Sequence, residues 1–132
     1  MIPSTSILRI ARPTDNLSVV SQMYAEGLGF EVLSGFSDHD GFDGVIIGHQ
    51  HHAYHLEFTH DRNMRVGRAP TPENLLIFYI GDQKVWKESC EKMRKSGFSS
   101  VVSHNPYWGL LGITFEDVDG YRVVLQNSEW KI

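Results

Sequence analysis

His55 and Glu57 stand two residues apart in Tyr54-His55-Leu56-Glu57-Phe58-Thr59, a run in which apolar and polar residues alternate. In an extended strand this spacing puts an imidazole and a carboxylate on one face, one pleat apart. Such a pair suits proton transfer near neutral pH, with Glu57 orienting His55 or shifting its charge balance. A hydrogen-bonded histidine at a sheet rim is the plainer structural alternative. His49-Gln50-His51-His52 adds further imidazoles. Its spacing matches no closed zinc site, and it reads as a solvated turn able to bind metal only adventitiously. Cys90 is the single cysteine, so neither a disulfide framework nor a thiolate cluster is available within the chain. No Gly-x-Ser-x-Gly turn occurs, and covalent catalysis has no support.

A second group of candidates is aromatic and amide-bearing. Asn105-Pro106-Tyr107-Trp108 supplies flat apolar area with polar tips, suited to covering a small organic ligand or to packing between sheets. Tyr79 and Gln126 fall, by alternation, on the polar-facing sides of Leu75 to Ile80 and Arg122 to Asn127.

The elements that must carry these residues form a repeat. A strand-like run ending near Asp15 precedes an amphipathic stretch that closes on Gly29-Phe30, and three further strand-like runs follow. The plan recurs with Asp82 and Gly97-Phe98. Module one covers about residues 7–60, a Pro- and Gly-bearing connection 61–74, and module two about 75–127, within a single domain over 1–132. Leu17, Val20, Tyr24 and Leu28 share one helical stripe, as do Trp86, Cys90 and Met93. Asp15 and Asp82 are expected to cap the two helices, and Gly29 and Gly97 to stop them. Parity assigns Leu8, Ile10, Tyr54, Leu56, Phe58, Leu76, Phe78, Val123 and Leu125 to the helix side. The opposite sets, with Arg9, His55, Glu57, Tyr79 and Gln126, are left to line a concavity. Asp117-Val118-Asp119-Gly120 predicts a tight turn between two strands. Arg62, Arg65 and Arg68 in the connection read as a solvated surface loop.

Composition sets outer bounds. A chain of 132 residues, 41% hydrophobic and 21% charged, can bury one sizeable core. The formal charge of −4 and the lack of a Lys/Arg run argue against nucleic acid. No run approaches the ~18 apolar residues of a membrane span, and the opening residues lack the basic and apolar regions of a signal peptide. The expected setting is cytoplasmic.

The β-α-β-β-β order taken twice, the helix end Tyr24-Ala25-Glu26-Gly27-Leu28-Gly29-Phe30 and the closing run Phe115 to Leu125 resemble the vicinal oxygen chelate superfamily. That group includes glyoxalase I, fosfomycin- and bleomycin-resistance proteins and extradiol dioxygenases. Arg9-Ile10-Ala11-Arg12-Pro13, Tyr54 to Thr59 and Asn105 to Trp108 are most similar to its small YycE-type proteins. The resemblance implies an α+β fold of two βαβββ modules, the glyoxalase/bleomycin-resistance/dioxygenase-like fold, and a homodimer. Enzymes of the superfamily hold a divalent metal through His and Glu on four strands, and here those positions fall on Arg9, Glu57, Leu75 and Val124. Only Glu57 can ligate, because a guanidinium has no electron pair to give and Leu and Val have no donor atom. The resemblance therefore implies no metal and no other cofactor.

Two functions remain. One is a metal-independent protein that binds a small organic molecule through Arg9, Tyr79, Asn105, Tyr107, Trp108 and Gln126, with an Arg9–Glu57 ion pair where a metal would lie. The other is a glyoxalase-like lyase or isomerase, or an antibiotic-modifying enzyme, using Glu57 and His55 as catalytic groups. Whether the chain is an enzyme stays open at this point.

Overall fold

The computed structural model describes residues 1–132. Module one runs β1 (Leu8–Pro13), α1 (Leu17–Leu28), β2 (Glu31–His39), β3 (Phe42–Gly48) and β4 (Tyr54–Asp61). Module two runs β5 (Leu75–Tyr79), α2 (Gln83–Lys95), β6 (Ser99–Val101), β7 (Gly112–Glu116) and β8 (Arg122–Gln126), with a 3-10 turn at Pro106–Gly109. Each module folds into a four-stranded sheet, ordered β1-β4-β3-β2 and β5-β8-β7-β6. In both, the first strand pairs parallel with the last, and the other pairings are antiparallel. This is the α+β architecture of two βαβββ units expected from the repeat.

The helices form where the apolar stripes predict. Val20, Tyr24, Cys90 and Met93 are all buried. Gly29 adopts φ +69°, which lets the Phe30 N–H reach the Ala25 carbonyl at 2.8 Å and closes α1. Asp82 caps α2, accepting from the Val85 N–H at 2.9 Å. Asp15 does not cap α1: Asn16 holds that position without a side-chain bond, and the Asp15 carboxylate turns to the Val66 and Gly67 N–H groups at 3.0 and 2.9 Å. Those backbone donors hold Asp15 below its usual range. The loop arginines are also less free than expected. Arg62 donates to both carboxylate oxygens of Asp43, at 2.7 and 3.0 Å, and Arg68 lies 3.4 Å from Glu116.

Residues from both modules merge into one core. Tyr24 packs its ring against Phe58 of β4 and Phe98 of module two, with centroids 4.8 and 5.1 Å apart. Gly27 lets the helices meet, since a Cβ there would stand 2.9 Å from Phe98 Cε2 and 3.1 Å from Met93 Sδ. Strand parity holds for Leu56, Phe58, Val123 and Leu125, all buried, while Leu8 at the β1 edge stays exposed. The β7–β8 turn that the sequence marks as a tight turn is also a joint between modules. Asp119 accepts from Thr14 Oγ1 at 2.6 Å and from Asn16 Nδ2 at 2.8 Å, and Asp117 accepts from the Tyr24 hydroxyl at 2.7 Å. Arg12 lies over the Tyr121 ring, 4.5 Å from its centroid.

Candidate functional site

Arg9 stands beside His55, and Ala11 beside Glu57, in the parallel β1–β4 pairing. All lie on the sheet face opposite α1, because Ile10 and Leu56 occupy the alternate positions that pack on the core. Small Ala11 leaves room for the Arg9 side chain to run along the strand. Its Nε donates to His55 Nε2 at 2.8 Å, and Nη1 lies 3.3 Å from Glu57 Oε2. The expectation that Glu57 orients His55 is thereby corrected: the partner of His55 is the guanidinium, which joins the two. An arginine has only protons to offer, so His55 Nε2 must carry its lone pair and the ring proton sits on Nδ1. Arg9 is 48% exposed and Glu57 14%, so the carboxylate is sheltered and the guanidinium open on one side.

The same face carries Ile46, the cross-strand neighbour of Glu57, and Phe36, which pairs with Gly44. The Phe36 ring occupies the space that a Gly44 side chain would need. The sequence reading did not single out Phe36. Register shifts on both sides of the Ser34 to Phe36 pairing break the alternation that could have placed it.

The corresponding face of module two is closed rather than open. Thr114, Val124 and Gln126 are at most 3% exposed, and Trp108 of the 3-10 turn packs beside Gly112 and shares a cleft with Thr114. Gln126 packs its amide against Gly112, where any side chain would overlap Oε1, and that oxygen has no hydrogen-bond partner. Beside it a cleft of about 190 Å³ is walled by Leu75, Asn105, Trp108, Thr114 and Arg122, with Glu73 and His104 also lining it. Thr114 Oγ1 is buried and unpartnered. Arg122 Nε donates to Glu116 Oε2 at 3.0 Å, and Glu116 also holds Arg68.

The sequence candidates thus separate into three places. Arg9, His55 and Glu57 come together. Asn105 and Trp108 share the module-two cleft, Asn105 Oδ1 capping the turn through the Tyr107 N–H at 3.0 Å. Tyr107 is exposed and meets the Trp108 ring edge-on at 4.9 Å. Gln126 lies buried behind them. Tyr79 stands apart in a larger groove of about 440 Å³ between the end of α1 and α2, with Leu28, Phe30 and Val85. Thr114 and Arg122 were missed as site residues, although the alternation Gly112, Thr114, Glu116 put a hydroxyl on that face.

The histidine turn is packed as well as solvated. His52 stacks on Tyr54 at 5.2 Å, and His49 meets Phe30 edge-on at 5.1 Å. No three His, Cys, Asp or Glu side chains converge to hold a metal ion. The four superfamily positions offer one carboxylate, Glu57, already in contact with a guanidinium, together with Arg9, Leu75 and the fully buried Val124. That donor set does not fit a divalent cation, which needs several lone-pair donors at ~2.0–2.5 Å.

Comparison with known proteins agrees with this fold. Residues 8–59 match the model of the YycE-like N-terminal domain, and residues 73–127 that of the YycE-like C-terminal domain. Protein YycE of Bacillus subtilis (strain 168) is 41% identical over 122 residues, covering 92% of this chain and 88% of that protein. The crystal structure of a YycE protein of unknown function from Bacillus subtilis superposes with a TM-score of 0.87 at 39% identity, over 96% of this chain and 93% of that one. More distant structures share the fold alone. The trypanothione-dependent glyoxalase I of Leishmania major gives a TM-score of 0.70 at 20% identity, over 92% of this chain and 86% of that one. TnmS3, an antibiotic binding protein from Streptomyces sp. CB03234, gives 0.61 at 17%, over 96% and 97%. Two family models matched in order along the chain, with a relative 41% identical across nearly its whole length, make it a member of the YycE-like family, within the vicinal oxygen chelate superfamily.

Proposed function

We propose that this protein binds a small organic molecule without a metal, on the sheet faces that turn away from its helices. The observation that carries this reading is Arg9, bonded at once to His55 Nε2 and to Glu57. The one carboxylate at a superfamily ligand position is engaged by a cation, so the polar centre offers hydrogen bonds where related folds would offer a Lewis acid. The half-exposed guanidinium keeps donors for an anionic or carbonyl-bearing ligand. Trp108, Tyr107 and Asn105 supply aromatic cover and an amide anchor. TnmS3, which shares the fold, is an antibiotic binding protein, and such a role needs only a shaped face with a few polar anchors.

A homodimer belongs to the same reading. Ile7, on the Arg9 side by alternation, is 66% exposed, and none of the five main clefts is lined by Arg9, His55 or Glu57. A second copy laid over that face would enclose the cluster, as two-fold association commonly does. A cytoplasmic setting accompanies it, supported by a lone, buried thiol at Cys90. No helix is long and apolar enough to cross a membrane.

A thermal-shift screen of small aromatic and amphipathic compounds tests the proposal, run in EDTA and again with zinc or manganese. Stabilisation that is equal in both conditions and lost in Arg9→Ala is the expected result. Stabilisation that appears only with metal would overturn it. The second reading, a lyase or isomerase using His55 and Glu57, is favoured by the placement of both side chains on one sheet face within reach of Arg9, and it requires Arg9 to release His55 Nε2, whose lone pair it occupies. Turnover abolished by His55→Gln with binding intact would establish it instead.

A further inference from the structure

The cleft of module two has the features of a built anion site. Thr114 is 3% exposed, its Oγ1 has no partner, and it lines the cavity. A buried hydroxyl without a hydrogen bond is costly, so a water or a ligand atom entering the cleft gains a partner there. Arg122 stands on the same wall with its side chain 15% exposed. Its Nε is engaged by Glu116, and its Nη1 reaches the Val102 carbonyl only at 3.5 Å. Glu116 is shared between Arg122 and the exposed Arg68, and with Glu73 on the wall these four charges sum to zero. An anion is therefore held here by the unengaged Arg122 N–H donors rather than by net charge. Trp108, Leu75 and Pro72 supply apolar surface among the polar Ser103, His104 and Asn105. Glu73 also lines it, and a second negative charge on a ligand would be repelled there.

We propose that this cleft seats the carboxylate end of a small monocarboxylate, with Thr114 Oγ1 and the Arg122 guanidinium binding the anion beneath Trp108. At about 190 Å³ the space lies below the ~300 Å³ where drug-sized pockets begin, so it admits a carboxylate with a single ring or short chain. The inference rests on the small-molecule-binding reading and names the chemical class of ligand for this part of the face.

The test uses the full chain, titrated with benzoate, the neutral benzamide and the dianionic phthalate, and followed by the Trp108 indole and Thr114 amide resonances. Benzoate is expected to shift both, with benzamide and phthalate each weaker by at least about tenfold, the scale of one charge-assisted hydrogen bond. Thr114→Val keeps the shape and removes the hydroxyl. It is expected to weaken benzoate about tenfold while leaving the free protein at least as stable, since an unsatisfied group is lost. Benzamide binding as tightly as benzoate, or Thr114→Val binding unchanged, overturns the carboxylate assignment and leaves the metal-free binding reading standing. Benzoate binding that requires added zinc and vanishes in EDTA overturns the metal-free reading. Absence of any shift at Trp108 and Thr114 with all three compounds overturns the assignment outright.

Discussion

The Tyr24 hydroxyl donates to Asp117 Oδ2 at 2.7 Å, joining α1 of module one to the β7–β8 turn of module two. Asp117 Oδ1 meanwhile accepts from the Asp119 and Tyr121 N–H groups, at 2.8 and 3.0 Å. One carboxylate therefore shapes the turn and fastens it to the other half of the molecule. Tyr24 is fully buried, and its ring is packed by Phe58 and Phe98, so the hydroxyl reaches Asp117 from a fixed position. Tyr24→Phe keeps that packing and leaves a buried carboxylate oxygen without its donor. The expected loss is about 1–3 kcal/mol in urea unfolding, the range for stranding a buried acceptor. A change within the error of the measurement would mean that water takes the place of the hydroxyl.

The same carboxylate gives stability a signature in acid. Burial, the largest influence, raises Asp117 above its ordinary 3.8. Between 3.8 and the raised value the folded chain holds a proton that the unfolded chain has released. The Asp117 contribution therefore falls as pH rises through that window and is recovered as pH falls. Asp15 and Asp43 act in the opposite sense. Backbone donors lower the first, and the Arg62 hydrogen bonds lower the second, so their contributions are present above 3.8 and are lost as pH falls towards the folded values. Asp117→Asn removes only the first effect. Urea unfolding at a series of pH values should show the stability of the wild type relative to the variant growing as pH drops through the window. A constant difference would place the burial effect elsewhere.

These joints explain which parts of the molecule could be read from the chain. The helical stripes at Val20 and Tyr24 or Cys90 and Met93, and the alternation at Leu56, Phe58, Val123 and Leu125, follow from local periodicity, and the buried core bears them out. Asp117 meets Tyr24 across 93 residues of sequence, and no local pattern separates such an acid from an ordinary turn aspartate. Asp15 misled for the same reason, its N–H partners being 51 and 52 residues away. In the candidate site, parity brought Arg9, His55 and Glu57 to one face. It anticipated the Arg9–Glu57 pair, at 3.3 Å, but not that Arg9 would also bond His55, because that depends on rotamers rather than on register. The closed face of module two was hidden further, since alternation puts Val124 and Gln126 on the side away from the helix, and their full burial comes from tertiary packing that no local pattern shows.

Arg9→Lys separates the charge of that residue from its geometry. A lysine keeps the cation but lacks the planar fork that reaches His55 Nε2 and Glu57 together. Arg9 is half exposed, so folding stability should change by less than ~1 kcal/mol. The His55 imidazole should respond more strongly. Nitrogen NMR of the ring is expected to show the Nδ1–H tautomer dominant in the wild type and a mixture in the variant. Compounds that depend on Arg9 should bind roughly tenfold more weakly, in line with one lost hydrogen bond to a charged group. An unchanged tautomer would show that the Arg9–His55 bond does not persist in solution.

Gly27 sets helix preference against packing. In an exposed helix interior, replacing glycine by alanine gains about 1 kcal/mol. Here the added methyl would stand 2.9 Å from Phe98 Cε2 and 3.1 Å from Met93 Sδ, both on buried side chains. The thioether can yield by rotation, whereas the Phe98 ring is held edge-on by Tyr24 at 5.1 Å and has little freedom to withdraw. Overpacking of this kind costs about 1–3 kcal/mol, so Gly27→Ala should be destabilising on balance despite its better helix propensity. The double variant Gly27→Ala with Phe98→Leu gives the methyl room and should recover part of the loss, a non-additivity expected only of residues in contact. Strict additivity in urea unfolding would place the strain at Met93 rather than at the aromatic ring.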